Sequence, residues 1–349
     1  MRLRDSARLR YWLGPWAAHD ELPPDVTVRV VGRLPAGSRL YAPTDRAPRG
    51  GFVISPGLHH DGPNDPRMDR LARILARAGF VVLSPAVPDL MALQLTPAVI
   101  DDVSRALDVL LAAPELPAGC APSLFAISVG SLAALRVAAR SRDLVAQVVV
   151  FGGYADHTAL IRSLTDEPRD PLNRPAAMLT LLAHIPGAPR GRDAERLRAA
   201  WRRTIRATWP LPSLKVAGGT LHHPIARAFA AELPPHLREL YLVGCGVLPG
   251  AWELCRHALA APGAFDYLDP RPHLAGIRCP VTIVHGIADD VIPFEQAGAL
   301  ERALPPHVAC TQLATGMFSH SSATGLRAVA LARELRTFER ICRALGGPT

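Results

Sequence analysis

Ser123-Leu124-Phe125-Ala126-Ile127-Ser128-Val129-Gly130-Ser131 is an apolar run that ends on a serine between small residues and then continues in a helical pattern. Such a stretch reads as a buried strand turning sharply into a helix, with Ser128 at the turn. The backbone there is strained, so the residues two before and two after the serine must be small to avoid collision, and Ala126 and Gly130 meet that requirement. The helix expected over Ser131 to Arg140 points its first N–H groups at the serine, which favours negative charge developing nearby. A small-x-Ser-x-Gly turn also arises by chance, with the serine as nothing more than a turn residue, so the surrounding chain has to decide.

Working outward, strands and helices alternate. Upstream, Val26 to Val31 and Ser38 to Tyr41 read as strands, and Gly51-Phe52-Val53-Ile54-Ser55 as a third, more deeply buried one; together they are expected to form an antiparallel edge. Asp65 caps and Pro66 opens a helix that Gly79 stops, and Phe80 to Leu83 is the next strand. A helix from Pro97 to Ala112 carries Ile100, Val103, Leu107, Leu110 and Leu111 at helical spacing. Downstream of the serine, Val145 to Phe151 is a buried strand. Strand and helix alternating from Gly51 to Phe151 predict an α/β fold, a mostly parallel central sheet with helices on both faces.

From His157 to Ala275 the rhythm is lost, and residues 157–275 read as a mainly helical insertion. Its apolar clusters, Met178 to Leu182 and Leu240 to Val243 with Trp201, Trp209 and Trp252, either line an apolar substrate site or form the insertion's own core. The sheet resumes at Pro280-Val281-Thr282-Ile283-Val284-His285-Gly286. A helix over Phe294 to Ala303, a strand over Val308 to Leu313 and a last helix over Ala323 to Leu345 follow. The expected organisation is an arm over 1–25, a core over 26–156 and 276–349, and the insertion between.

A serine hydroxyl needs a base to take its proton, and the base needs a third group to hold it. His285-Gly286-Ile287-Ala288-Asp289-Asp290-Val291-Ile292-Pro293 places two carboxylates on the loop after a buried strand, and Thr315-Gly316-Met317-Phe318-Ser319-His320 places a histidine after the last strand. The order is Ser128, Asp289, His320, each at the end of a predicted strand, where side chains gather at the carboxyl edge of a parallel sheet. His285 reads as a structural residue at its strand end, and Asp290 is the alternative acid if Asp289 only forms the turn.

In these motifs the chain resembles the α/β-hydrolase superfamily, over residues 26–156 and from Gly276 to the C-terminus; the insertion lies outside the resemblance. The resemblance implies Ser128 as nucleophile, Asp289 as acid and His320 as base. Asp156, on the loop after the preceding strand, is a further alternative acid by the same resemblance. It also implies an oxyanion hole from the backbone N–H of Val129 and that of Leu58, in Ser55-Pro56-Gly57-Leu58, where the family commonly carries His-Gly and this chain has Pro-Gly. The activity implied is cleavage of a carboxylic ester or related acyl bond through an acyl-enzyme. Acyl transfer, amide hydrolysis and lactone opening on the same fold, or ligand binding without turnover, are the alternatives.

Composition narrows the classes. Hydrophobic residues at 49% and charged residues at 20% of 349 suit a globular chain. The net charge of +8 comes from arginines spread along the whole length, with Lys215 the sole lysine, and without a basic stripe interleaved with aromatics a nucleic-acid role is not expected. The arginine-rich start, followed by Tyr11 to Ala18, has the outline of an export signal, but Gly14-Pro15 breaks its apolar centre, and no run reaches the roughly 18 residues of a membrane span. Cys120, Cys245, Cys255, Cys279, Cys310 and Cys342 form no Cys-x-x-Cys pair, which points to reduced thiols and a cytoplasmic location. No cofactor and no metal are expected. His59-His60-Asp61 and His222-His223 pair imidazoles, but neighbouring side chains are expected to diverge, with no ligand spacing beside them.

Overall fold

In the computed structural model residues 3–14, 21–316 and 331–346 are described. Helix α1 (Leu3–Leu13) precedes β1 (Val26–Val30), β2 (Arg39–Pro43) and β3 (Gly50–Ser55). Then come α2 (Pro66–Arg77), β4 (Phe80–Ser84), α3 (Pro88–Met91), α4 (Ala98–Leu111), β5 (Ser123–Ile127), α5 (Ser131–Ser141) and β6 (Val148–Phe151). Six helices follow: α6 (His157–Thr165), α7 (Arg174–Leu181), α8 (Gly191–Thr208), α9 (His223–Ala231), α10 (Pro235–Gly244) and α11 (Ala251–Leu259). The sheet is completed by β7 (Val281–Gly286), α12 (Glu295–Ala303) and β8 (Cys310–Thr315), and α13 (Leu331–Leu345) ends the described chain.

The eight strands lie in the order β1-β2-β4-β3-β5-β6-β7-β8. β2 pairs antiparallel with both β1 and β4, and every pair from β4 across to β8 is parallel. Alternate residues of the parallel strands face two separate cores. Val53, Leu124, Ala126, Val148, Val150 and Ile283 pack on the side of α4 and α5, whereas Phe52, Ile54, Phe125, Val149 and Val284 pack with Leu75 of α2 and Phe338 of α13. A sheet buried on both faces needs near-continuous apolar strands, and β3, β4 and β7 are buried at every position.

Local chemistry sets the elements as expected at α2. The Asp65 carboxylate accepts the Arg67 N–H at 2.8 Å, Pro66 occupies the first turn, and Gly79 at φ 98° ends the helix. Elsewhere the structure corrects the sequence reading. β3 is not part of an antiparallel edge but sits between β4 and β5, parallel to both. Its burial on two faces, rather than its neighbours in sequence, determines that place. β2 starts one residue later than expected and runs to Pro43, β6 is shorter, and β8 is shifted to Cys310–Thr315. The N-terminal arm contains α1, whose Leu9 and Trp12 are buried in the α2 and α13 core. Of the expected final helix, residues 331–345 are helical and 323–330 lie outside the described residues.

Chain direction reverses between β4 and β5: β3 leads outward to β4 through α2, and the next crossover returns past β3 to β5. In an open parallel sheet such a switch leaves a crevice at the carboxyl ends of the adjoining strands. The carboxyl ends of β3, β5, β7 and β8 all lie at that edge.

Candidate active site

Ser128 follows β5 directly and holds φ at 55°, one of four non-glycine residues with positive φ among those described. A serine in the left-handed region costs free energy, and surrounding contacts must hold it there. They are visible on both sides. A Cβ placed on Gly130 would lie 2.3 Å from the Pro56 carbonyl oxygen and 2.5 Å from that of Ser55, so only glycine fits. The buried Ser55 hydroxyl donates to the Gly130 carbonyl at 2.8 Å. The turn after β3 therefore rests against the turn after β5, and a Cβ on Gly57 would come within 3.2 Å of the Ser128 Cβ.

This contact brings Gly57, the residue before Leu58, against the serine. Neither the Leu58 N–H nor the Val129 N–H donates to a backbone carbonyl or side chain among the described residues. Ser128 is 7% exposed and opens the turn that leads into α5.

Asp289 lies on the loop after β7 and is 3% exposed. Its Oδ1 accepts the N–H groups of Val291 and Ile292 at 2.9 and 2.8 Å, which fixes the carboxylate in one orientation. His285, fully buried at the end of β7, places Nε2 2.9 Å from the Ile292 carbonyl and 3.5 Å from Asp289 Oδ2. These contacts tie the Asp289 loop to the end of β7. Asp290 is oriented differently: its Oδ1 is buried without a hydrogen-bond partner among the described residues, and its carbonyl accepts the Asp170 N–H at 3.2 Å. Asp156 caps α6 by accepting the Ala159 N–H at 3.0 Å and pairs with Arg271 at 3.1 Å. His320 lies outside the described residues.

The His59-His60-Asp61 segment follows the Leu58 turn directly. Contrary to the expectation that adjacent imidazoles diverge, the two rings stack, with centroids 4.6 Å apart and planes 22° from parallel. Donor atoms of His59, His60 and Asp61 lie within 4.8 Å of one another. Imidazole lone pairs lie in the ring plane, so two nearly parallel stacked rings do not aim at a common point about 2 Å from each, the distance a zinc ion requires. His59 also stacks on Trp209 at the end of α8, centroids 6.2 Å apart, joining the turn to the insertion. Burial holds the His59 imidazolium below its ordinary pKa, against the charge of Asp65.

The insertion is packed mainly on itself and on the sheet. Met178, Leu179, Leu181, Leu182 and Trp201 are fully buried in the core that also holds β5 and β6, so this cluster is core rather than site lining. Trp209 and Trp252 are half-buried, and Trp209 donates its indole N–H to the Leu172 carbonyl. The insertion is tied to the sheet edge where Arg169 donates to the Asp289 carbonyl and where Tyr267 donates to that of Leu95. Hollows of about 400 and 430 Å³ on its surface, near Ile185 and near Phe229, include none of Ser128, Leu58 and Asp289.

Glu334 was not read from the sequence. It is 4% exposed, and its two carboxylate oxygens accept the Thr315 hydroxyl at 2.9 Å and the Gly316 N–H at 3.0 Å. The signal was available: Glu334 shares a helical face with Phe338, Ile341, Cys342 and Leu345, all buried.

No family model and no curated protein matches the chain. Solved structures similar to it include 2,6-dihydroxy-pseudo-oxynicotine hydrolase, at 15% identity over 93% of this chain and 68% of that one, TM-score 0.48. An esterase from Pyrobaculum calidifontis is 13% identical over 98% and 90% of the two chains, TM-score 0.49. A puromycin-hydrolyzing peptidase of Mycobacterium tuberculosis is 14% identical over 92% of this chain, which spans only 38% of that one, TM-score 0.48. No helix among the described residues is long and apolar enough to cross a membrane.

Proposed function

On the α/β-hydrolase fold that the chain adopts, we propose a serine hydrolase that cleaves a carboxylic ester or related acyl bond of a small molecule. Ser128 attacks the acyl carbonyl while His320 takes its proton, and Asp289 orients His320 and offsets its charge. The N–H groups of Leu58 and Val129 hold the oxyanion, His320 returns the proton to the leaving group, and water then releases the acyl group by the same route. The observation that carries this reading is Ser128 at φ 55° with the Leu58 turn packed against it. An ordinary strand-to-helix turn has no need of a strained serine beside two unused N–H donors.

The acid assignment rests on the anchored carboxylate of Asp289, since Asp156 is engaged in a cap and an ion pair. Residues 157–275 act as a cap over the carboxyl edge, where Arg169 reaches the Asp289 carbonyl.

A fluorophosphonate probe tests the chemistry. The wild-type protein is expected to be labelled and Ser128→Ala is not; equal labelling of the two removes Ser128 from the mechanism. A panel of nitrophenyl esters of increasing chain length, set beside matching anilides, separates ester from amide cleavage. His320→Ala is expected to lower ester turnover by several orders of magnitude, on the order of 10⁶ if the residues act as a unit.

A further inference from the structure

Glu334 is a carboxylate buried in the first turns of α13, where an apolar side chain of similar size would pack without desolvating a charge. For stability alone a buried charged group is a poor device, because its desolvation offsets much of what its hydrogen bonds return. Its geometry suits a different task. One carboxylate grips two consecutive residues, the Thr315 side chain and the Gly316 backbone, at 2.9 and 3.0 Å, so both the position and the rotation of the end of β8 are set. A Cβ on Gly316 would stand 3.3 Å from Glu334 Oε1, which leaves little room for the strand end to slide.

Thr315 is also where the acid loop starts. Its carbonyl accepts the Ile287 N–H at 2.9 Å, two residues before Asp289. His320 stands four residues beyond Gly316 in the chain, and α13 itself begins at Leu331. The carboxylate thus ties the start of the His320 segment to the helix that follows it, at the same node that anchors the acid loop.

We propose that Glu334 is a positioning residue that fixes the end of β8, and with it the point from which the chain continues to His320 and the base of the Asp289 loop. The proposal rests on His320 acting as the base. A catalytic group displaced by about 1 Å can lose roughly 10²-fold in rate with substrate binding little changed.

The test compares Glu334→Ala, Glu334→Gln and Thr315→Val on one nitrophenyl ester, with kcat, KM and Tm measured for each. Glu334→Ala is expected to lower kcat roughly 10²-fold and leave KM within about threefold. Glu334→Gln keeps an acceptor for Gly316, and the Thr315 hydroxyl can rotate to accept from the amide, so kcat should recover to within about threefold of wild type. Thr315→Val keeps only the backbone bond and should fall between. A lowered Tm with unchanged kcat per folded enzyme means a merely structural role and overturns the proposal, as does a Gln variant as slow as the Ala one. Should Glu334→Ala fail to fold, Thr315→Val decides: unchanged kcat overturns the proposal and reduced kcat with unchanged KM supports it. His320→Ala at wild-type rate overturns the parent reading instead, whereas His320→Ala inactive with Glu334→Ala unimpaired removes only the role of Glu334.

Discussion

Ser128 and Gly130 carry opposite backbone demands within three residues. The serine sits at φ 55°, where L side chains are strained by roughly 1–2 kcal/mol. Ser128→Gly is therefore expected to raise unfolding stability by roughly 1 kcal/mol while abolishing probe labelling, and urea titration showing no gain would mean the turn is not strained. At Gly130 the change runs the other way. An added methyl meets the carbonyls of Ser55 and Pro56, backbone groups that cannot rotate aside, so Gly130→Ala should cost at least about 2 kcal/mol and lose labelling in the same step. Unchanged Tm in that variant would show that the turns after β3 and β5 are not in close contact. Small residues on either side of the serine were legible in the sequence because steric need is local. The stacked His59 and His60 were not, because their ring directions depend on Trp209 and Asp65, far away in the chain or on another element.

Among the elements, α2 shows how far local rules reach. Burial raises the Asp65 carboxyl, but hydrogen bonds and charge from Arg67 outweigh it and hold the group below its ordinary value of 3.8. A carboxyl depressed in the folded state contributes stability above its unfolded pKa and loses it as pH falls through the folded one. Asp65→Ala should cost about 1 kcal/mol at pH 7 through loss of the cap, and the gap to wild type should close as pH drops below about 4. A gap that persists at low pH in denaturant titrations would contradict this. Cap, proline and glycine made α2 readable residue by residue. The place of β3 was not readable in that way, since strand order is decided by which faces are buried and by crossovers on both sides. Glu334 was hidden for a related reason: it lies on the apolar face of α13, and a charge there has meaning only once Thr315 and Gly316 are known to stand opposite.

At the scale of the whole molecule the insertion and the sheet share one core. Trp201 is fully buried, donates to the Tyr241 carbonyl at 3.1 Å, and packs so closely on Gly244 that a Cβ there would be 2.6 Å from its ring. Trp201→Ala is expected to destabilise the chain by about 3–5 kcal/mol. Tryptophan fluorescence and far-UV circular dichroism should report coincident unfolding, because the core runs unbroken from α8 to β5. Separate transitions would show the insertion to be an independent unit. The sequence marked the insertion by its loss of strand–helix rhythm, yet it left open whether its tryptophans line a site or fill a core, a question only packing answers.

The bond between Ser55 and Gly130 spans 75 positions of chain. Contacts so distant in sequence require a large loop to close before they return anything, and they form late relative to helices and local turns. The strained turn at Ser128 is held by that contact, so under the proposed function the serine should acquire its reactivity only when β3 and β5 have paired. During refolding, probe labelling of Ser128 would then lag behind the recovery of helical signal, and that one side chain would serve as a clock for the last stage of assembly.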